Sequence, residues 1–187
     1  MKLSISKTLL LLSFLFLSNY SKADSAIDTA GKIYLQAGYS SLNINYGKYS
    51  YNIGSTYTAY LGGNVNKYLG LEVLGATTST TDYSTTLSFD GVFIKPKYAL
   101  NDYVEVFARI GLNELNLSTS YAGSATGSYL AYGGGVNFYF TNDKKHYFQI
   151  DYMNWAHDNG YSLSGGGLSY GYKFWSVSSY YLFQCQN

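Results

Sequence analysis

The sequence is short of charge, of proline, of cysteine and of long apolar runs, and each shortage removes a class of protein. Asp, Glu, Lys and Arg make up 12% of the chain, well below the ~25% usual in a soluble domain. A single proline stands against 20 glycines, which excludes a collagen-like or proline-rich chain. The one cysteine, Cys185, allows no intramolecular disulfide. Two histidines, His146 and His157, with that lone cysteine offer no metal-ligand spacing. The 12 basic and 11 acidic side chains nearly cancel, so there is no basic surplus with which to hold nucleic acid. None of the glycines opens a helical pattern as a phosphate loop requires, and no cofactor is expected.

The apolar run that does exist lies at the start. Lys2 and Lys7 precede Leu9–Leu17, and Ser21-Lys22-Ala23 follows. This is a basic region, a short apolar core and small residues at the two positions a signal peptidase reads. The run falls short of the ~20 apolar residues of a spanning helix, so residues 1–23 read as a cleaved signal peptide. No cysteine stands at the cleavage site just after the run, which speaks against a lipoprotein. Without Lys2, Lys7 and Lys22 the remainder carries a net charge of −2.

What fills the rest is Tyr, Gly, Ser, Thr and Asn. There are 23 tyrosines, aromatics reach 19%, and the mean hydropathy is −0.10. A chain half apolar and half polar, yet poor in charge, suits strands with lipid on one face and a polar lumen on the other.

Period-two alternation recurs in eight segments. Val104, Val106, Ala108, Ile110 and Leu112 alternate with Glu105, Phe107, Arg109, Gly111 and Asn113. Similar alternations start near Ile33, Tyr57, Leu69, Gly91, Leu130, Phe148 and Leu168. A helix would need apolar residues three and four apart, and each glycine in it would cost about 1 kcal/mol.

The connections alternate too. Short turns stand at Asn66-Lys67, Asn101-Asp102 and Thr141–Lys145. Longer polar stretches, read as loops, lie around Asn43–Gly54, Thr78–Thr85, Glu114–Gly127 and Ala156–Ser162. Outer-membrane barrels sort their connections this way, with short periplasmic turns and long external loops. Tyr68, Tyr98, Tyr103, Phe140, Tyr147, Phe174 and Trp175 gather at the short-turn end, where aromatic rings mark a membrane interface. The fold predicted is all-β: an eight-stranded antiparallel up-and-down transmembrane β-barrel over residues 24–174, with 175–187 as a tail. A lipocalin-like soluble barrel shares the alternation but would carry more surface charge.

Ala131-Tyr132-Gly133-Gly134-Gly135-Val136-Asn137-Phe138-Tyr139-Phe140 resembles a late strand of the OmpA/OmpX-type eight-stranded outer-membrane barrels. Gly167–Phe174 resembles their closing strand. The likeness runs from about Gly31 to Phe174, through patterns rather than catalytic signatures. It implies a bacterial outer-membrane address, among membrane lipids and lipopolysaccharide. It also implies an insertion signal of Leu168, Tyr170, Tyr172 and Phe174, read by the barrel-assembly machinery.

Seven charged residues fall on the face opposite the lipid stripe: Glu72, Lys95, Lys97, Glu105, Arg109, Asp151 and Lys173. Side chains fill the interior of so narrow a barrel, so these charges must pair. Arg109 is the expected hub, with Glu105 and Glu72 as its carboxylate partners. The network can be a plug, or the gate of a narrow pore. In the first case a monomeric barrel works through its external loops on a surface ligand. In the second it conducts. His157 with Asp158, Ser162 and Ser164 leaves a third reading, a lipid A acyl hydrolase or transferase, although nothing in the sequence orients that histidine; no catalytic residue is assigned.

Overall fold

The computed structural model describes residues 33–80, 85–119, 123–141 and 143–174. The expected signal peptide, the 175–187 segment and Trp175 lie outside them. Eight strands form: β1 (Ile33–Tyr46), β2 (Tyr49–Asn64), β3 (Leu69–Thr80), β4 (Thr85–Ala99), β5 (Val104–Thr119), β6 (Gly123–Tyr139), β7 (His146–Asp158) and β8 (Tyr161–Lys173). Each pairs antiparallel with its neighbours in chain order. β1 also pairs with β8, from Tyr34↔Lys173 to Tyr46↔Tyr161, which closes the barrel. The last ladder bond runs from the Phe174 N–H to the Ile33 carbonyl, at 2.7 Å.

The faces follow the alternation. Leu35, Tyr57, Ile94, Ile110, Leu112, Phe138, Ile150 and Leu168 are exposed on the outside, while Gln36, Thr58, Lys95, Arg109, Asn137, Gln149 and Ser169 are buried within. On β4 and β5 the outer apolar stripe ends at Asp90 and Glu114, which stand opposite each other in the ladder. At the short-turn end Tyr68, Tyr98, Tyr103, Phe140 and Phe174 all face outward. Tyr147 is the exception among the expected interface aromatics: it points into the lumen, 1% exposed.

Inward glycines make room for such rings. A Cβ on Gly62 would strike the ring of Tyr34, and one on Gly171 the ring of Tyr147. The glycine leaves a slot in the wall that a neighbouring strand's tyrosine occupies, so the richness in both residue types has one cause.

Short turns close one end. Asn66 Oδ1 accepts the Tyr68 N–H at 2.7 Å, and Asn101 Oδ1 accepts those of Tyr103 and Val104. Such asparagine-to-backbone bonds mimic a turn. Lys144 Nζ ties the third turn to Asp102 on the second, at 2.9 Å. Asp143 is drawn down to about 2, first by the Thr141 hydroxyl and then by the Lys145 backbone N–H.

The other end departs from the sequence reading. The stretches expected as long loops are mostly paired strand. β1 and β2 stay in register to Tyr46↔Tyr49, β3 and β4 to Thr80↔Thr85, β5 and β6 to Thr119↔Gly123, and β7 and β8 to Asp158↔Tyr161. Polarity misled the reading. Beyond the membrane the outer face of a hairpin meets water rather than lipid, so Tyr, Thr, Ser and Asn sustain a strand with no outward apolar stripe. The tips are tight. Gly47 has φ 56° at the first turn position, and Asn159 and Gly160 have φ 47° and 83°. Positive φ at these positions is what two-residue hairpins need.

Short epitope tags inserted at Gly47-Lys48 or Asn159-Gly160 should be labelled on intact cells, and tags at Asn66-Lys67 or Asn101-Asp102 only after permeabilisation. Labelling of both sets would overturn the orientation. Ala108→Arg, in the middle of the outer stripe, should destabilise the refolded barrel by about 2–4 kcal/mol, whereas Leu112→Arg near its edge should cost about 0–1 kcal/mol. Denaturant titration in lipid vesicles reads the difference.

Candidate functional site

The lumen is built in two storeys. The one nearer the short turns holds all seven charged residues that the alternation placed inside. Arg109 lies at its centre, 0% exposed. Its Nε donates to Glu72 Oε2 at 2.5 Å and its Nη2 to Glu72 Oε1 at 3.3 Å, a two-pronged grip that a lysine has no geometry to make. Nη1 donates to Asp151 Oδ2 at 3.0 Å. The guanidinium lies 4.1 Å from the centre of the Tyr60 ring, so its face is covered as well as its edge.

The network closes on itself. Glu72 Oε1 also accepts from Tyr34 Oη at 2.7 Å and from Lys95 Nζ at 2.8 Å. Lys95 donates on to Gln149 Oε1 at 3.2 Å, and Gln149 Nε2 donates to Asp151 Oδ2 at 2.6 Å. Two cations thus meet two carboxylates through a neutral amide.

A second group lies nearer the short turns. Lys97 Nζ stands 3.7 Å from Glu105 Oε2 and donates to Asn64 Oδ1 at 2.5 Å. Glu105 Oε1 accepts from Asn137 Nδ2 and Tyr139 Oη, at 2.8 and 2.9 Å. Lys173 Nζ donates to Tyr139 Oη at 2.5 Å. The void among Tyr34, Lys95, Lys97, Glu105, Tyr147 and Lys173 amounts to about 10 Å³, room for one water at most.

One expected pairing is wrong. Glu105 is not a partner of Arg109. The two share a face of β5 but stand four residues apart, about 13 Å along a strand, so Glu105 belongs to the level below. Asp151, brought across from β7, takes the second prong instead. Sequence could supply its inward parity but not its height around a tilted barrel. Parity alone also left Tyr34, Tyr60, Tyr139 and Gln149 unremarked, although they share the inward stripe.

The upper storey is the larger omission. Leu42, Leu74, Leu87, Phe89, Phe93, Met153, Trp155 and Leu163 form one buried apolar cluster. Two bulges help build it. On β7 the ladder skips Trp155, from Asn154↔Ser164 to Ala156↔Leu163, and turns both Trp155 and Ala156 inward. Asn113 Nδ2 donates to the carbonyl of the skipped Trp155 at 2.8 Å, satisfying a group the bulge removes from the ladder. On β2 the shift from Leu42↔Gly54 to Asn43↔Asn52 leaves Ile53 as the extra residue, packed against the same cluster. Trp155 stacks on Phe89, centroids 5.6 Å apart and planes 7° from parallel. The pair packs in one cluster with Leu87, Ala156 and Leu163, which line a cavity of about 440 Å³ at the hairpin end.

Of the residues considered for catalysis, His157 faces Ser162 across the β7–β8 ladder. The hydroxyls of Ser162 and Ser164 both accept from Asn45 Nδ2, at 3.3 and 2.8 Å. His146 sits at the opposite end, its Nδ1 2.6 Å from Tyr170 Oη. Leu168, Tyr170 and Phe174 face outward and Tyr172 is half-buried beside His146. No trio of potential metal ligands gathers among the described residues.

Comparison with known proteins gives the same architecture. The barrel resembles Ail, the attachment invasion locus protein of Yersinia pestis, at 16% identity and a TM-score of 0.58, over 78% of this chain and 99% of that one. It resembles Neisserial surface protein A at 16% identity and a TM-score of 0.57, over 75% and 95%. A transmembrane β-barrel designed de novo matches at 13% identity and a TM-score of 0.54, over 79% and 99%. At such identities the likeness speaks for the fold. No curated protein matches the chain in sequence. The model of the outer membrane protein beta-barrel domain, however, matches residues 8–174. The chain therefore belongs to the outer membrane protein beta-barrel family, and its place is the bacterial outer membrane.

Proposed function

We propose that this barrel is a surface-attachment protein whose working parts are the four hairpins continued beyond the membrane, and that its lumen is a structural plug. The observation that carries the reading is the content of those hairpins. Tyr46, Tyr49, Tyr51 and Tyr161 are each at least half exposed there. Tyr46 stacks on Tyr161 with centroids 4.3 Å apart, and Tyr49 lies against Tyr51 at 6.4 Å. Serine, threonine, asparagine and glycine fill the positions between. Binding loops of antibodies use this mixture because tyrosine offers large, stiff contact area and the small polar residues adapt. A paired hairpin adds preorganisation, which lowers the entropy lost on binding.

Charge narrows the partner. Lys48 is the one Lys or Arg in these hairpins, against Asp82, Asp90, Glu114 and Asp158. Ail carries attachment in its name and has been crystallised with the heparin analogue sucrose octasulfate. A net acidic rim is poorly made for such a polyanion, and a protein surface fits it better. Outer-membrane lipids and lipopolysaccharide surround the barrel, and the outward Leu168, Tyr170 and Phe174 with Tyr172 serve as its insertion signal.

Cells displaying the barrel should adhere to immobilised cell-surface proteins and not to heparin. Replacing Tyr46, Tyr49, Tyr51 and Tyr161 together by serine should lower adhesion at least about tenfold while the purified barrel still shifts its gel mobility on heating. Undiminished adhesion would overturn the proposal.

The plug has its own test. Arg109→Ala strands Glu72 and Asp151 without their shared cation, a loss of about 3–5 kcal/mol for a buried pair. Unfolding midpoints should fall accordingly, with adhesion and resting conductance in planar bilayers unchanged. A rise in single-channel conductance would instead make the network a gate.

A further inference from the structure

We infer that the cavity at the hairpin end is a binding site for a single alkyl chain bearing a cationic ammonium head. In a water-exposed barrel mouth, inward positions are expected to be polar. Here Ile53, Leu87, Leu115, Leu117, Tyr129 and Leu163 line about 440 Å³ of open space. That volume falls within the range of small-molecule sites, which are apolar with a few converging polar groups. Leu87, Ala156 and Leu163 of its lining belong to the buried cluster in which Phe89 and Trp155 stack, so the cavity ends on packed side chains as a blind cup rather than a passage. Its depth and apolar wall suit a chain entering end-on.

The head follows from the rim. Besides the phenols of Tyr129 and Tyr161, the polar lining among the described residues comes from the β7–β8 hairpin: Asp158, Asn159 and Ser162. Asp158 is the one charged group lining the cup among the described residues, and Tyr161 lines it beside that carboxylate, its ring backed by Tyr46. A carboxylate next to an aromatic face is the pairing that holds an ammonium group, and it repels an anionic head. Lys48 is the only cationic side chain in the four hairpins, so nothing in the cup balances a fatty-acid carboxylate. The site shares Tyr161, and Tyr46 behind it, with the attachment surface, but its test reads Trp155 fluorescence in purified barrels and so stands or falls separately from adhesion of whole cells.

The test uses Trp155. The chain has two tryptophans, and Trp175→Phe leaves Trp155 as the sole tryptophan, excited selectively over the tyrosines in barrels refolded into uncharged bilayers. Added 12-bromododecyltrimethylammonium should quench it saturably, with the bromine near the floor. Bromododecanoate of the same length should bind about tenfold more weakly, from the reversed sign of the head beside Asp158. Leu115→Arg should abolish saturable quenching. Asp158→Asn, at the exposed rim, should remove the preference between the two heads while leaving quenching in place. Heat-shifted gel mobility verifies that each variant has folded. Quenching that rises linearly with probe and is unchanged in Leu115→Arg would mean partition into the bilayer only, and would overturn the site. Equal binding of the carboxylate would overturn the ammonium head. Absence of quenching, with barrels joined tip to tip through Leu117→Cys, would assign the cup to a second copy of the chain and overturn the proposal.

Discussion

Hydrocarbon offers a strand's backbone no water, so every N–H and C=O that crosses the membrane must find a partner in the sheet. From this constraint the rest of the molecule follows. It demands that β8 return to β1, and the pairing from Tyr34↔Lys173 to Tyr46↔Tyr161 meets the demand along the length of both strands. Once the sheet closes with eight strands, its bore is fixed at a width that side chains span. Whatever lies on the inner stripe must then pack against the opposite wall. The charges around Arg109 are therefore a consequence of closure: polar groups on the inward parity have no solvent to turn to and must satisfy one another.

That necessity explains why the network has the form it does. Breaking a buried pair costs far more than the pair contributes against a well-packed apolar substitute, so the arrangement specifies more than it stabilises. Glu72 comes from β3, Lys95 from β4, Arg109 from β5 and Asp151 from β7. A slip of any of these strands by one residue would turn its charge toward lipid. The ion pairs thus enforce the register that backbone bonds alone leave degenerate. They do so where the outer face is most uniform and least able to tell one register from the next.

The sequence carried parity well and height poorly. Alternation gave the inward side of Arg109, Glu72 and Asp151 because period two is a local property of a strand. Which inward residues meet depends on strand tilt and stagger, which no local pattern encodes; hence Glu105 was taken as a partner of Arg109 and Asp151 was not. Bulges were the second blind spot. Ala156 and Ile53 turn inward because an extra residue breaks the alternation, and a reading built on unbroken alternation stops where they begin. The external hairpins were legible as polar and mistaken as irregular, since a strand whose outer face meets water has no outward stripe to betray it.

The two bulges also explain how one tube holds two environments. A regular barrel would repeat its inward parity from end to end. An extra residue re-aims the side chain it carries and sharpens the local twist. On β7 this turns Ala156 inward beside Trp155, which keeps the inward parity of Met153 and stacks on Phe89; on β2 it swings Ile53 into the cup. Above that floor the walls continue as hydrogen-bonded hairpins rather than loops, so Leu87, Leu115 and Leu163 are held at fixed positions facing an open space they cannot collapse to fill. An apolar cup kept open in this way leaves its wall in contact with water, at about 25 cal/mol for each Å². The rigidity that incurs this penalty is the same pairing that holds the exposed tyrosines in place.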